Sequence, residues 1–146
     1  MFAKLIQHFS GDAGGTLAPP DIRLALAALM VRIARSDAHY DLREQEIIDA
    51  VLAHRFEIGA KEAAALREKG EALEAQAPDT VRFTRVIKDS IAYDERQAII
   101  EALWHVALAD GARDIHENAL MRLSAHLLGV SDRDSAIARK RAQSRQ

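Results

Sequence analysis

Ile33-Ala-Arg-Ser-Asp-Ala-His-Tyr-Asp-Leu-Arg-Glu44 returns as Val106-Ala-Leu-Ala-Asp-Gly-Ala-Arg-Asp-Ile-His-Glu117, 73 positions further along. The acids keep one spacing in both copies, D-x3-D-x2-E, so Asp37, Asp41 and Glu44 fall on Asp110, Asp114 and Glu117. The flanks hold the same register: Val31, Ile33 and Ala34 align with Trp104, Val106 and Ala107, and Ile47 and Ile48 with Leu120 and Met121. After a one-residue gap, residues 56–62 resemble residues 128–134. Each copy reads as an apolar helix, an acidic turn, an amphipathic helix and a capped third helix, which predicts a duplicated helical unit.

The rest of the chain fits an all-α fold. Only 5% of residues are aromatic and period-two alternation is scarce, so strands have no support. A short amphipathic segment at about residues 2–9 precedes the glycine- and proline-rich stretch 10–20, which cannot continue a helix. From Pro20 to about Ser36 the chain is apolar on nearly every side, predicting a central, buried helix. Ile47, Ile48, Val51, Leu52 and then Phe56 mark a helix of about 42–55. In the next, about 60–76, Leu66 and Leu73 are nearly the only large apolar side chains, which places it on the outside.

Pro78 ends that helix, and Asp79 or Thr80 is expected to cap the following one, whose buried face is Phe83, Val86, Ile87 and Ile91. A helix of about 94–109 is again apolar on most faces, and one of about 115–128 should stop at Gly129. Ser131 with Asp134 marks the start of a last helix, and the basic tail from Arg139 is expected to fray. The fold predicted is a single compact bundle of seven to eight helices built from two pseudo-symmetric helical repeats. Its parts are an N-terminal helix and loop (1–20), a helical domain (21–138) and a basic tail (139–146).

Composition narrows the function. A chain of 146 residues with 49% apolar and 29% charged residues has the size and core material of one domain. A net charge of -2 lacks the basic excess that nucleic-acid binding needs, so no nucleic-acid partner is expected. The absence of cysteine removes disulfides, thiolate metal sites and thiol nucleophiles together. The first residues do not read as a signal peptide and the longest apolar run, 24–31, is too short for a span; no direct membrane insertion and a cytoplasmic location are expected. No H-E-x-x-H, glycine-rich phosphate loop or G-x-S-x-G occurs, so an enzyme is not expected.

The acidic triplets admit two readings. Asp41 with Glu44, and Asp114 with Glu117, have the N-cap to N3 spacing of a capping box, worth about 1 kcal/mol, and no ligand is then needed. Asp37 and Asp110 escape that account. They fall where helices end, and the dipole there disfavours a carboxylate by about 0.3–1 kcal/mol. Three carboxylates around one turn could instead supply oxygens to a hard divalent cation, and two such turns brought together could share or pair cations. A standard EF-hand is excluded, because placing Asp110-Gly111 in its loop puts earlier ligands on Leu108 and Val106. His39 and His116 lie in or beside the turns and are further candidate ligands. His105, His54 and His126 are expected in or at the edge of the core.

The two quoted stretches, with Leu127-Leu-Gly-Val-Ser131, resemble the TerB-like (tellurite-resistance protein B) family over about residues 22–138. The resemblance implies an all-helical domain with two pseudo-symmetric halves and an acidic surface implicated in divalent-metal binding. It also implies membrane-associated protein partners in a stress response to tellurite and other agents. Carried over by position, the family's acids are Asp37, Asp41, Glu44, Asp110, Asp114 and Glu117. The expectation is a non-enzymatic domain whose acidic turns bind a divalent cation and present a surface to a protein partner. Oxygen ligands favour Ca²⁺ or Mg²⁺, and participation of His39 or His116 would favour Zn²⁺ or Mn²⁺. Its rival is a metal-independent interaction domain whose acids only cap helices. A metal-dependent hydrolase would require both turns to face one deep cleft.

Overall fold

The computed structural model describes residues 19–36, 40–76, 80–108 and 115–144. Among them are seven helices: α1 (Pro19–Arg35), α2 (Leu42–Phe56), α3 (Ala60–Gln76), α4 (Val81–Ser90), α5 (Tyr93–Ala107), α6 (Ile115–Leu127) and α7 (Asp132–Ser144). No strand occurs among these residues, and the chain is an all-α bundle. The segment predicted at 2–9, most of the loop after it and the centres of both acidic turns lie outside the described residues.

Helix α1 is the axis of the molecule. Every residue from Leu24 to Val31 is buried, as are Ile33 and Ala34, and α1 packs against α2, α3, α4, α5 and α6. An unbroken apolar sequence makes this possible, since each face finds a neighbour and each fully buried Leu or Ile contributes about 1.5–3 kcal/mol. α5 is the second buried element, contributing Ile99, Ile100, Leu103, Trp104 and Val106 to the same core and packing most extensively on α7.

The outer helix α3 packs more extensively on α1 than any other described element does. Its exposed side carries charge, as expected, while its inner side brings Ala63, Gly70 and Leu73 against α1. A Cβ at Gly70 would lie 2.8 Å from Ala27 Cβ, so a side-chain-free position lets the helices close. α7 repeats this use of small residues, burying Ser135, Ala138 and Ala142. The fraying expected from Arg139 is therefore corrected: α7 continues to Ser144, because Ala142 holds its last turns on the core.

Local caps set several of the boundaries. Gly129 has φ 73°, and the N–H groups of Gly129 and Val130 return to the carbonyls of His126 and Ala125. The Arg96 guanidinium adds a bond to the Leu128 carbonyl. This is the predicted glycine stop, since only glycine adopts that φ without a Cβ penalty. Ser131 Oγ accepts from Asp134 N–H at the start of α7, also as predicted. Of the two capping candidates for α4, Asp79 lies outside the described residues and Thr80 departs from expectation. It precedes α4, but its side chain makes no cap bond; it is buried and meets Arg32 instead.

Candidate functional site

Of the eight candidate site residues, only Asp41 and Glu44 have described side chains. Asp41 has extended backbone, φ -94° and ψ 177°, and Oδ1 accepts the Glu44 N–H at 3.0 Å. Asp41 N–H in turn donates to Glu44 Oε1 at 3.4 Å, completing the capping box. Glu44 is only 3% exposed, so its carboxylate is held inside the turn. Next to this buried acid, Leu42 is 68% exposed at the first position of α2. His116 and Glu117 belong to the first turn of α6, where their side chains lie outside the description, as do Asp37, His39, Asp110 and Asp114 altogether.

A polar chain that sequence reading misses fastens the first turn to α3. Tyr40, one residue before the cap, donates its hydroxyl to Glu71 Oε2 at 2.6 Å. Glu71 also accepts from Arg67 Nη1 at 2.8 Å, and Arg67 Nε donates to Asp49 Oδ1 on α2 at 2.6 Å. One guanidinium thereby links α2 to α3, and the phenol links both to the turn. Burial, then the hydrogen bond and charge of Glu71, push the Tyr40 phenol well above its ordinary value. Burial disfavours the Arg67 cation, yet Asp49 and Glu71 outweigh it and hold the guanidinium above its usual value. The only local signal was the i, i+4 pairing of Arg67 with Glu71 on a predicted helix.

Two further guanidinium groups stand on the α1 side of the turn. Arg35 lies over the Tyr40 ring, 5.0 Å from its centroid, and donates to Glu74 Oε1 at 2.6 Å. Arg32 donates to Glu74 Oε2 at 3.1 Å and to the Glu74 carbonyl at 3.2 Å, while stacking over Phe83. The end of α3 is thus tied to α1 and α4. In the second half, Trp104 Nε1 donates to Ser135 Oγ at 3.2 Å and Arg139 stacks over the indole at 5.0 Å.

Among the described residues no group of three or more His, Asp or Glu side chains is placed to hold a metal ion. A groove of about 340 Å³ lies between α2 and α5, lined by Ala50, Val51, His54 and Arg55 on α2 and by Ala98, Glu101, Ala102 and His105 on α5. Neither Asp41 nor Glu44 lines it. His54 and His126 are exposed and His105 is half-buried, which corrects the core placement expected for the first two. No described helix is long and apolar enough to cross a membrane.

The family model for tellurite resistance protein TerB matches residues 23–140, from the second turn of α1 into α7. The chain belongs to the TerB family. Neither the curated proteins nor the solved structures compared with it include a match.

Proposed function

We propose that this TerB-family domain is a non-enzymatic helical module whose two acidic turns bind a divalent cation and whose surrounding surface meets a protein partner. The observation that carries the reading is positional. α2 begins at Leu42, directly after Asp41, and α6 begins at Ile115, directly after Asp114, so in both copies of D-x3-D-x2-E a helix starts at the residue after the second aspartate. Helix order agrees: α1, α2 and α3 start at 19, 42 and 60, and α5, α6 and α7 at 93, 115 and 132. The α1–α3 and α5–α7 pairings correspond, which supports a pseudo-symmetric arrangement of two repeats.

Capping and cation binding are compatible. An ionised carboxylate has about four lone-pair sites, and an N-cap bond uses one. Asp37 and Asp110, to which the sequence spacing gives no capping role, would supply the oxygens left over, and Asp41, Glu44, Asp114 and Glu117 the remainder. Oxygen ligation favours Ca²⁺ or Mg²⁺, with Zn²⁺ or Mn²⁺ following if His39 or His116 joins. A cation would also relieve repulsion among the clustered acids. A role in a tellurite-type stress response, with a membrane-associated partner, rests on family membership.

The rival reading has its own observation. The capping box of Asp41 and Glu44 is complete, and these two acids have a structural use without any ion. Calorimetric titration of chelator-stripped protein with Ca²⁺, Mg²⁺, Mn²⁺ and Zn²⁺ distinguishes the two. Saturable heat from one ion that disappears in Asp37→Ala, Asp110→Ala supports the cation site. Heats of dilution throughout support the metal-independent interaction domain.

A further inference from the structure

The guanidinium of Arg139 lies over the Trp104 indole, 5.0 Å from the ring centroid, with Nε and Nη2 buried and without a hydrogen-bond acceptor. A guanidinium is always charged and carries donors alone, so burial without an acceptor is costly. The first half of the chain shows what satisfies such a group. In the register that carries residues 56–62 onto 128–134, Arg67 falls on Arg139, and Arg67 bonds Asp49 through Nε and Glu71 through Nη1. The backbone keeps that register: Glu57 and Gly129 both have positive φ, 52° and 73°, and the N–H groups of Ile58 and Val130 return to the carbonyls of Ala53 and Ala125. Ala63 and Ser135 correspond and are both buried, as are Gly70 and Ala142. The acids are what differ. Glu71 falls on Gln143, and Asp49, in the register of Ile47 and Ile48 on Leu120 and Met121, falls on Arg122.

Beyond Asp134 the sequence has no further acid, while Arg139, Lys140, Arg141 and Arg145 add positive charge to a chain whose net charge is -2. Lys140 and Arg141 are exposed, and Ile137, one turn before them on the same helix, is 39% exposed. A guanidinium fork pairs bidentately with a carboxylate, and among the described contacts its release from Trp104 gives up only the stacking. We propose that Arg139 is a recognition residue that takes a carboxylate from an acidic segment of a partner protein, docked along α7 beside Ile137, Lys140 and Arg141. The partner then supplies what Arg67 finds within the chain. This surface rests on the interaction-module part of the function proposed above and is independent of the cation.

A short glutamate-rich peptide, titrated into the full chain in the presence of chelator, is the probe. Trp104 is the chain's one tryptophan, so its fluorescence reports the departure of Arg139. Binding should change the indole emission, shift the Arg139 Nε–Hε resonance and weaken as salt is added. Arg139→Gln should lower the affinity about tenfold, and Arg139→Lys, which keeps a cation over the indole but loses the fork, by nearly as much. Lys140→Gln should lower it no more than about threefold. Absence of binding, or equal losses from Arg139→Gln and Lys140→Gln, would overturn the proposal. Peptide binding that leaves Trp104 and the Arg139 resonance unmoved would remove this site while leaving the interaction-module reading intact. A shift of that resonance in the peptide-free Asp114→Asn, Glu117→Gln protein would also overturn it, because the chain would then supply its own carboxylate. So would a resonance that moves with protein concentration alone, because the partner would be a second copy.

Discussion

Gly70 on α3 meets Ala27 on α1 so closely that a Cβ at position 70 would lie 2.8 Å from the Ala27 Cβ and 2.9 Å from its carbonyl carbon. The obstruction is partly backbone, and no rotamer change removes it. Gly70→Ala gains about 1 kcal/mol in helix propensity but incurs about 1–3 kcal/mol of overpacking. The expected outcome is a net loss near 1 kcal/mol, with a larger loss for Gly70→Val, read from urea denaturation midpoints. A more stable Gly70→Ala protein would show that α3 is not pressed onto α1.

Tyr40 should give alkaline stability a measurable signature. Its phenol is raised in the folded chain, so the folded state keeps a proton that the unfolded state releases above about pH 10. The associated stability is present below that pH and is lost as pH rises through the folded-state value. Tyr40→Phe should lower neutral-pH stability by about 1–2 kcal/mol through the missing bond to Glu71 and flatten the alkaline decline. In a Tyr93→Phe background, absorbance titration should show the remaining phenol ionising above the ordinary tyrosine range.

Glu74 binds Arg32 and Arg35 together, with its side chain only 13% exposed. Glu74→Ala should cost about 2 kcal/mol, because two guanidinium groups lose their carboxylate in a half-buried setting. Glu74→Gln should recover part of that. Equal stability of all three proteins in chemical denaturation would mean that the Glu74 bonds to Arg32 and Arg35 add nothing to the hold of α3 on α1.

Asp41→Asn separates capping from charge. Asparagine caps a helix about as well as aspartate, whereas alanine costs about 1 kcal/mol. Without added ions, Asp41→Asn should melt close to the parent and Asp41→Ala below it. If Asp41 also serves a cation, Asp41→Asn should weaken the calorimetric affinity. Unchanged affinity would confine Asp41 to the cap.

What the sequence made legible was whatever local chemistry decides. The Asp41–Glu44 cap, the Gly129 stop and the Ser131 start are each set within four residues, and the burial of α1 follows from its unbroken apolar run. Long-range choices were not legible. Tyr40 finds Glu71 across 31 positions, and nothing near either residue announces it. The closure of α3 and α7 depends on Gly70 and Ala142, residues whose smallness reads as neutral in a helical pattern but decides how near two axes come. Of the acidic constellation, the described residues contain the first cap only.

The most direct test is a thermal melt of chelator-stripped protein with and without Ca²⁺, Mg²⁺, Mn²⁺ and Zn²⁺, repeated on Asp37→Ala, Asp110→Ala. An ion at about 100 times its dissociation constant adds about 2.7 kcal/mol to the folded state, several degrees in Tm for a domain of this size. The account predicts that at least one ion raises the parent's Tm by that order and leaves the double variant unmoved. If no ion shifts the parent, and the double variant melts at the same temperature or higher, Asp37 and Asp110 are ill-placed helix-end charges and the cation site does not exist.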